Sequence, residues 1–244
     1  MKAGAVADSQ VREFRERGYV VVRGLVSAAE LEPMLVSYLA AARGEHIVPG
    51  WNDRLQPGQI VQLGDPSAKL GWREMPYFER ICAIARALGG DDMVLAYDQM
   101  IYKQPRQETE VLWHQDAGYH WQGSASERGI TCWLALVDVT RDQGTMTFLP
   151  GSHRHGIVPH HSAQDRNPIG GALEAEADTG AAEQVEYRAG DCSFHHGRTL
   201  HYTGANRTDR PRASLSSHFW PLDSARRDAP EWATPEADAS GPGG

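Results

Sequence analysis

Thr131-Cys-Trp-Leu-Ala-Leu-Val-Asp-Val139, the turn Arg141-Asp-Gln-Gly144 and the run Thr145-Met-Thr-Phe-Leu149 read as two strands around a tight connection. Strand-like runs recur on the N-terminal side, at Tyr19 to Leu25, rich in β-branched residues, and at Met93 to Lys103. The helical signals lie in the first third of the chain. Val11 to Arg17 suggests a short helix, Ser27-Ala-Ala-Glu30 a capping box that opens a helix toward Arg43, and Pro76 to Leu88 a helix ended by Gly89-Gly90. Pro33 lies beyond the first turn of the second helix, where it removes an intrahelical hydrogen bond, so a later start or a bend is expected there. Trp51 to Trp72 reads as loop with short strands. Many short strands after an N-terminal helical part predict a mainly β fold, a double-sheet jelly roll of cupin type.

The chain has 244 residues, enough for one domain with a sizeable core, which is placed at residues 1–222. From Asp223 the Ala, Asp, Pro and Gly content reads as a disordered tail to Gly244. The stretch from about His155 to Glu183 reads as a long loop, and loops of that length in compact domains commonly serve as lids. A net charge of −8, with no basic run and no aromatic-basic interleaving, speaks against nucleic acid as a partner. No apolar run is long enough to span a bilayer and Met1-Lys2-Ala3-Gly4 opens no signal peptide, so no membrane association and a cytoplasmic location are expected. Cys82, Cys132 and Cys192 show no C-x-x-C spacing, which suits a reducing compartment and disfavours a structural zinc site. Nothing in the chain assigns an oligomeric state.

Chemistry concentrates at His114-Gln115-Asp116. Residues i and i+2 of a strand point to one face, so His114 and Asp116 can reach one ion while Gln115 points away. His201 would supply a third ligand from a distant strand and leave the opposite coordination positions open, the arrangement of a non-haem Fe(II) oxygenase. Alone, His-x-Asp would more often be a surface pair. Between His201 and Arg212 the turn-rich Thr-Gly-Ala-Asn and Thr-Asp-Arg-Pro stretches suggest a hairpin, which would set the Arg212 guanidinium near the metal, suited to the far carboxylate of a chelating 2-oxo acid. His153, His155, His160 and His161 fall in the loop and are not counted as ligands. Strand alternation sends His195 to the face of His201, as a pocket or supporting residue or a purely structural one. Tyr119, His120 and Trp121 follow the metal motif, and Met100, Tyr102 and Phe148 lie on strand-like segments, which together suggest an aromatic, partly apolar substrate pocket.

Several spaced motifs occur in order: Phe14-x-x-x-Gly18-Tyr-Val-Val-Val-Arg-Gly24, His114-Gln-Asp116, Leu149-Pro-Gly-Ser-His153, Gly190-Asp191 and His201-x-Thr203-x-x-Asn206-x-Thr208-x-x-x-Arg212. Together they resemble the phytanoyl-CoA dioxygenase family of Fe(II)/2-oxoglutarate oxygenases, from Phe14 to about Trp220. The resemblance implies a double-stranded β-helix in which His114, Asp116 and His201 bind iron and Arg212 binds the distal carboxylate of 2-oxoglutarate. It also implies co-substrate roles for Thr203, Lys103 and Trp133, by position alone. The implied reaction uses O2 to decarboxylate 2-oxoglutarate to succinate and CO2 while oxidising a substrate C–H bond. Hydroxylation is the default outcome, with desaturation, epimerisation and cyclisation open. Asp116 argues against halogenation, because the related halogenases lack this carboxylate. An acidic chain without a basic patch gives no encouragement to a CoA thioester, so a small free metabolite or natural-product intermediate is the expected substrate. Two competing readings are a non-catalytic cupin-like protein that binds iron and 2-oxoglutarate, and a cupin enzyme using another metal, in which Arg212 has no task.

Overall fold

The computed structural model describes residues 6–45, 61–119, 123–163, 172–231 and 233. Helix α1 (Asp8–Arg17), strand β1 (Tyr19–Val22) and helix α2 (Ala28–Ala42) are followed by β2 (Val61–Gly64), α3 (Pro66–Lys69) and α4 (Pro76–Gly89). The strand-rich part then runs β3 (Met93–Lys103), β4 (Val111–His114), α5 (Gly123–Arg128), β5 (Ile130–Ala135) and β6 (Met146–Phe148). It continues through β7 (His160–Ser162), β8 (Leu173–Ala175), β9 (Glu183–Gln184), β10 (Cys192–His196), β11 (His201–Thr203) and β12 (Arg212–Pro221) to α6 (Leu222–Asp228).

Two antiparallel sheets form the jelly roll expected from the strand pattern: a large one in the order β1-β10-β5-β12-β3-β2 and a small one in the order β4-β11-β6-β9. Alternation along the central strands builds two different faces. Ala213, Leu215 and Phe219 of β12 join Cys132 and Leu134 of β5, and Cys192 and Phe194 of β10, in the main core with Tyr38, Tyr77 and Ile81 of the covering helices. The opposite face of the large sheet meets the small one. There Trp133 and Ala135 pack with Met146 and Phe148 of β6, and Arg212, Ser214, Ser216 and His218 follow one another along β12.

Helix α2 starts at Ala28 despite Pro33, which lies inside it. The Ser27 backbone N–H donates to Glu30 at 3.0 Å, completing one arm of a capping box that holds the first turn. The Gly190-Asp191 pair has an equally local cause. Gly190 has φ +89°, and a Cβ there would lie 2.1 Å from the Val26 carbonyl oxygen. The Asp191 carboxylate accepts the backbone N–H groups of Gly24 at 2.7 Å and Arg188 at 2.9 Å, fastening the end of the β1 segment to the entry of β10.

Three expectations are corrected. β11 and β12 are not a hairpin: β11 pairs with β4 and β6 in the small sheet, whereas β12 lies between β3 and β5 in the large one. The turn-rich residues between them build a crossing from sheet to sheet, in which the Asn206 amide donates to the carbonyls of Gln104 at 2.9 Å and Arg210 at 2.8 Å. The predicted 155–183 loop contains a hairpin of β7 and β8, and β8 lies against β4; residues 164–171 fall outside the described part. The tail does not begin at 223, because α6 buries Ser224 and Ala225, the latter beside Trp220 and Tyr97. No described helix is long and apolar enough to cross a membrane.

Candidate metal centre

His114 is the last residue of β4, and Gln115 keeps extended backbone (φ −115°, ψ 132°) before a 3-10 turn begins at Asp116. The i, i+2 relationship therefore survives the end of the strand. His201 opens β11 directly opposite His114, so β-pairing brings the two imidazoles together with ring centroids 4.1 Å apart. Asp116 Oδ1 lies 3.6 Å from His114 Nε2 and 3.5 Å from His201 Nε2. One ligand atom from each of the three buried residues lies within 4.8 Å of the others.

The imidazoles are oriented for this. His114 Nδ1–H donates to the Leu112 carbonyl at 2.7 Å and His201 Nδ1–H to the Thr199 carbonyl at 2.9 Å, which leaves each Nε2 with its lone pair toward the shared point. Burial would push the Asp116 carboxyl up, but the neighbouring imidazoles in their protonated, N–H-donating forms, His201 first and then His114 and His195, hold it well below the usual carboxylate range. Burial, reinforced by His114, pushes His201 well below the usual imidazole range, so it is neutral and ready to donate electrons.

Gln115 points away, as expected. Its amide donates to the carbonyls of Gly156 at 2.8 Å and Arg198 at 2.6 Å and accepts the Val158 N–H at 2.8 Å, while its backbone N–H donates to His160 Nε2 at 3.1 Å. His160 thus braces the metal motif from outside. It is not one of the three clustered ligands.

The second oxygen of Asp116 accepts hydrogen bonds from the Thr131 hydroxyl and from His195 Nε2 at 3.1 Å. Thr131 Oγ1 in turn faces His218 Nδ1 at 3.0 Å, and the His218 ring stacks on Tyr97 at 4.2 Å. Sequence reasoning missed Thr131 and His218. The usable signal was the even spacing of residues 212, 214, 216 and 218, which puts His218 on the face of Arg212.

Arg212 is fully buried. Its Nη1 donates to Ser214 Oγ at 3.0 Å, its guanidinium carbon lies 5.6 Å from the Trp133 ring centroid, and its Nε and Nη2 have no hydrogen-bond partner. Burial lowers its pKa to about 10, still charged near neutrality. Lys103, its cross-strand neighbour, is equally buried, and its ammonium donates to the Thr203 carbonyl, the Thr203 hydroxyl and the Gly204 carbonyl. Lys103 and Thr203 therefore bridge the two sheets.

Of the pocket residues, Phe148 lies 5.4 Å from the His195 ring and 6.3 Å from His201, and Tyr119 meets His114 edge-on at 5.4 Å. Met100 and Tyr102 are on the wrong face. Both belong to the main core beneath the helices, with Tyr102 6.1 Å from the Tyr38 ring. The β3 residues opposite Arg212, Ser214, Ser216 and His218 are Lys103, Ile101, Gln99 and Tyr97. His120 and Trp121 lie outside the described residues. His195 does not line an open pocket; it is buried against Asp116.

Two histidines and one carboxylate converging in a buried site, carried by the adjacent strands β4 and β11 of the small sheet of a jelly roll, define a mononuclear centre of the non-haem oxygenase class. The phytanoyl-CoA dioxygenase (PhyH) family model matches residues 14–214, and the chain belongs to that family. Phytanoyl-CoA dioxygenase domain-containing protein 1 of Bos taurus is 25% identical, with 94% of this chain and 98% of the relative covered. Among solved structures, EvdO2 of Micromonospora carbonacea var. aurantiaca complexed with 2-oxoglutarate is similar with TM-score 0.71 and 25% identity, over 97% of this chain and 94% of that one. The epimerase SnoN of nogalamycin biosynthesis, in complex with Fe3+, alpha ketoglutarate and nogalamycin RO, gives TM-score 0.69 and 29% identity, over 87% and 82%.

Proposed function

We propose that this chain is an Fe(II)- and 2-oxoglutarate-dependent oxygenase that hydroxylates a C–H bond of a small-molecule metabolite or natural-product intermediate, releasing succinate and CO2. The observation that carries the reading is Arg212: a buried guanidinium with two nitrogens unpartnered, on the inner face of the large sheet, across from the small sheet whose strands carry the three ligands. A metal alone would not require it. A bidentate carboxylate would satisfy it, and 2-oxoglutarate has a carboxylate at the end remote from its chelating atoms.

The residues present fit both groups. His114, Asp116 and His201 would hold iron, with Nε2 lone pairs and Asp116 Oδ1 converging. Arg212 would grip the distal carboxylate, with Trp133 beside the chain of the co-substrate and Lys103 fixing Thr203 at the same end. Iron with 2-oxoglutarate and O2 supplies the oxidising chemistry, and the protein supplies geometry and a dry setting. Phe148 and Tyr119 wall the ligands with apolar and aromatic surface. Three buried free cysteines accord with a reducing, cytoplasmic setting.

The likeness to SnoN favours one second reading: that structure is of an epimerase with Fe3+ and alpha ketoglutarate, so epimerisation is the alternative outcome here, set by how the substrate lies against the site. Anaerobic titration of the metal-free protein with Fe(II) and 2-oxoglutarate tests the shared chemistry. The expected result is a weak visible charge-transfer band that is lost in His114→Ala. Absence of the band in folded, iron-loaded protein would bring forward a cupin enzyme of another kind. Succinate release with any substrate would remove a non-catalytic binding protein, and mass analysis of the product separates hydroxylation, which adds an oxygen atom, from epimerisation.

A further inference from the structure

Asp116 has two oxygens, and only one faces the other ligands. Oδ1 lies 3.6 and 3.5 Å from the Nε2 atoms of His114 and His201, whereas Oδ2 accepts from Thr131 and His195. Thr131 has one proton to give. His218 Nδ1–H, 3.0 Å away, can donate to its oxygen, which leaves the hydroxyl proton for Asp116.

His195 is 1% exposed, and its second nitrogen, Nδ1, has no hydrogen-bond partner. An unsatisfied buried polar atom costs about 1–3 kcal/mol. The ring's neighbours are Phe148 at 5.4 Å and His201 at 4.4 Å, surroundings in which a phenylalanine would pack without that penalty. Apart from its bond to Asp116, nothing around the ring calls for an imidazole. The one polar contact the ring makes is Nε2 to Asp116.

We propose that His195, together with Thr131, is a positioning residue that pins Oδ2 so that Asp116 offers the metal a single oxygen. A carboxylate freed of these donors can turn and bind a metal through both oxygens, occupying a position that an incoming co-substrate needs. This rests on the reading of His114, Asp116 and His201 as metal ligands.

Co(II) is the probe, titrated into the metal-free protein and followed by its visible d–d absorption, which reports coordination number without turnover. In His195→Phe and in Thr131→Val, affinity is expected to fall on the order of ten- to a hundredfold, the usual effect of losing an outer-shell partner, with displaced d–d bands. His195→Gln, which keeps a side-chain N–H donor, should return spectrum and affinity toward those of the parent. Parent-like binding and bands in folded His195→Phe would overturn the inference, as would a His195→Gln variant as perturbed as His195→Phe, which would mark a packing role. Should His195→Phe not fold, Thr131→Val decides: it removes the hydroxyl at nearly constant volume, and parent-like bands there would overturn the inference. If the parent itself binds no Co(II), the metal reading fails and the inference with it.

Discussion

Lys103 and Arg212 face one another across the β3–β12 pair, both fully buried, and neither forms an ion pair among the described residues. Two buried cations that no ion pair neutralises are costly, and Arg212 depresses the protonation of Lys103, which the Glu110 carboxylate only partly offsets. Burial, with Arg212 adding to it, pushes the Lys103 ammonium well below the usual range. The arrangement is that of a receptor for an anion. Replacing Arg212 with Met should leave the stability of the ligand-free protein unchanged or raised, while the affinity for 2-oxoglutarate falls by more than about a hundredfold, the scale of breaking a buried charge pair. Thermal melting with and without 2-oxoglutarate, in the presence of Mn(II), reads both effects. The parent should gain about 2.7 kcal/mol at a hundredfold excess over Kd and the variant almost nothing.

His201→Ala removes the ligand that joins the small-sheet strand β11 to the His114-Asp116 pair. Mn(II) should raise the melting temperature of the parent and not that of this variant. Equal stabilisation of both by Mn(II) would show that the metal binds elsewhere.

Asp98 carries a pH dependence of its own. It is fully buried on the helix-covered side of β3, one oxygen has no hydrogen-bond partner, and burial pushes its pKa up to about 7 from an ordinary 3.8. A raised carboxyl favours the folded state while protonated, so its contribution is complete below about pH 3.8 and is lost as pH rises through 7. The loss is on the order of 4 kcal/mol for about three pKa units. His196 and His218, lowered to about 4 by burial, act in the opposite direction below pH 6.5. The comparison of parent with Asp98→Asn isolates the carboxyl. Relative to the variant, the parent should lose stability between pH 4 and 7 in denaturant melts, and parallel curves would contradict the assignment.

Gly190→Ala should destabilise the fold by more than about 2 kcal/mol, because positive φ and a backbone clash act together. The atom met is the Val26 carbonyl oxygen at 2.1 Å, part of the main chain, so no side chain can turn aside. Urea unfolding measures the loss, and a midpoint within error of the parent would show that the backbone moves freely at that corner.

Much of the site was legible along the chain because its signals are local. His114 and Asp116 share a face through one extended residue, Ser27 and Glu30 start a helix, and Gly190 and Asp191 serve a turn and its neighbours. Met93 to Lys103 was likewise readable as a strand to its ends. Alternation states which residues lie together but not which side is inward. Met100 and Tyr102 were expected at the pocket and lie in the helix-covered core instead; β3 is buried on both sides, and no contrast between wet and dry residues marks the inner one.

The strand-rich architecture, the shared face of His114 and Asp116 and the local starts and turns were thus determined by the sequence alone, since each depends on residue type and on spacing within a few positions. Tertiary structure alone decided that β11 and β12 part into opposite sheets, that β7 and β8 pair within the long loop, and that Thr131, His195 and His218 converge on Asp116. Those relationships join residues as distant as Thr131 and His218, 87 positions apart, and their geometry comes from the register of sheets packed face to face, a quantity that no local pattern of side chains encodes.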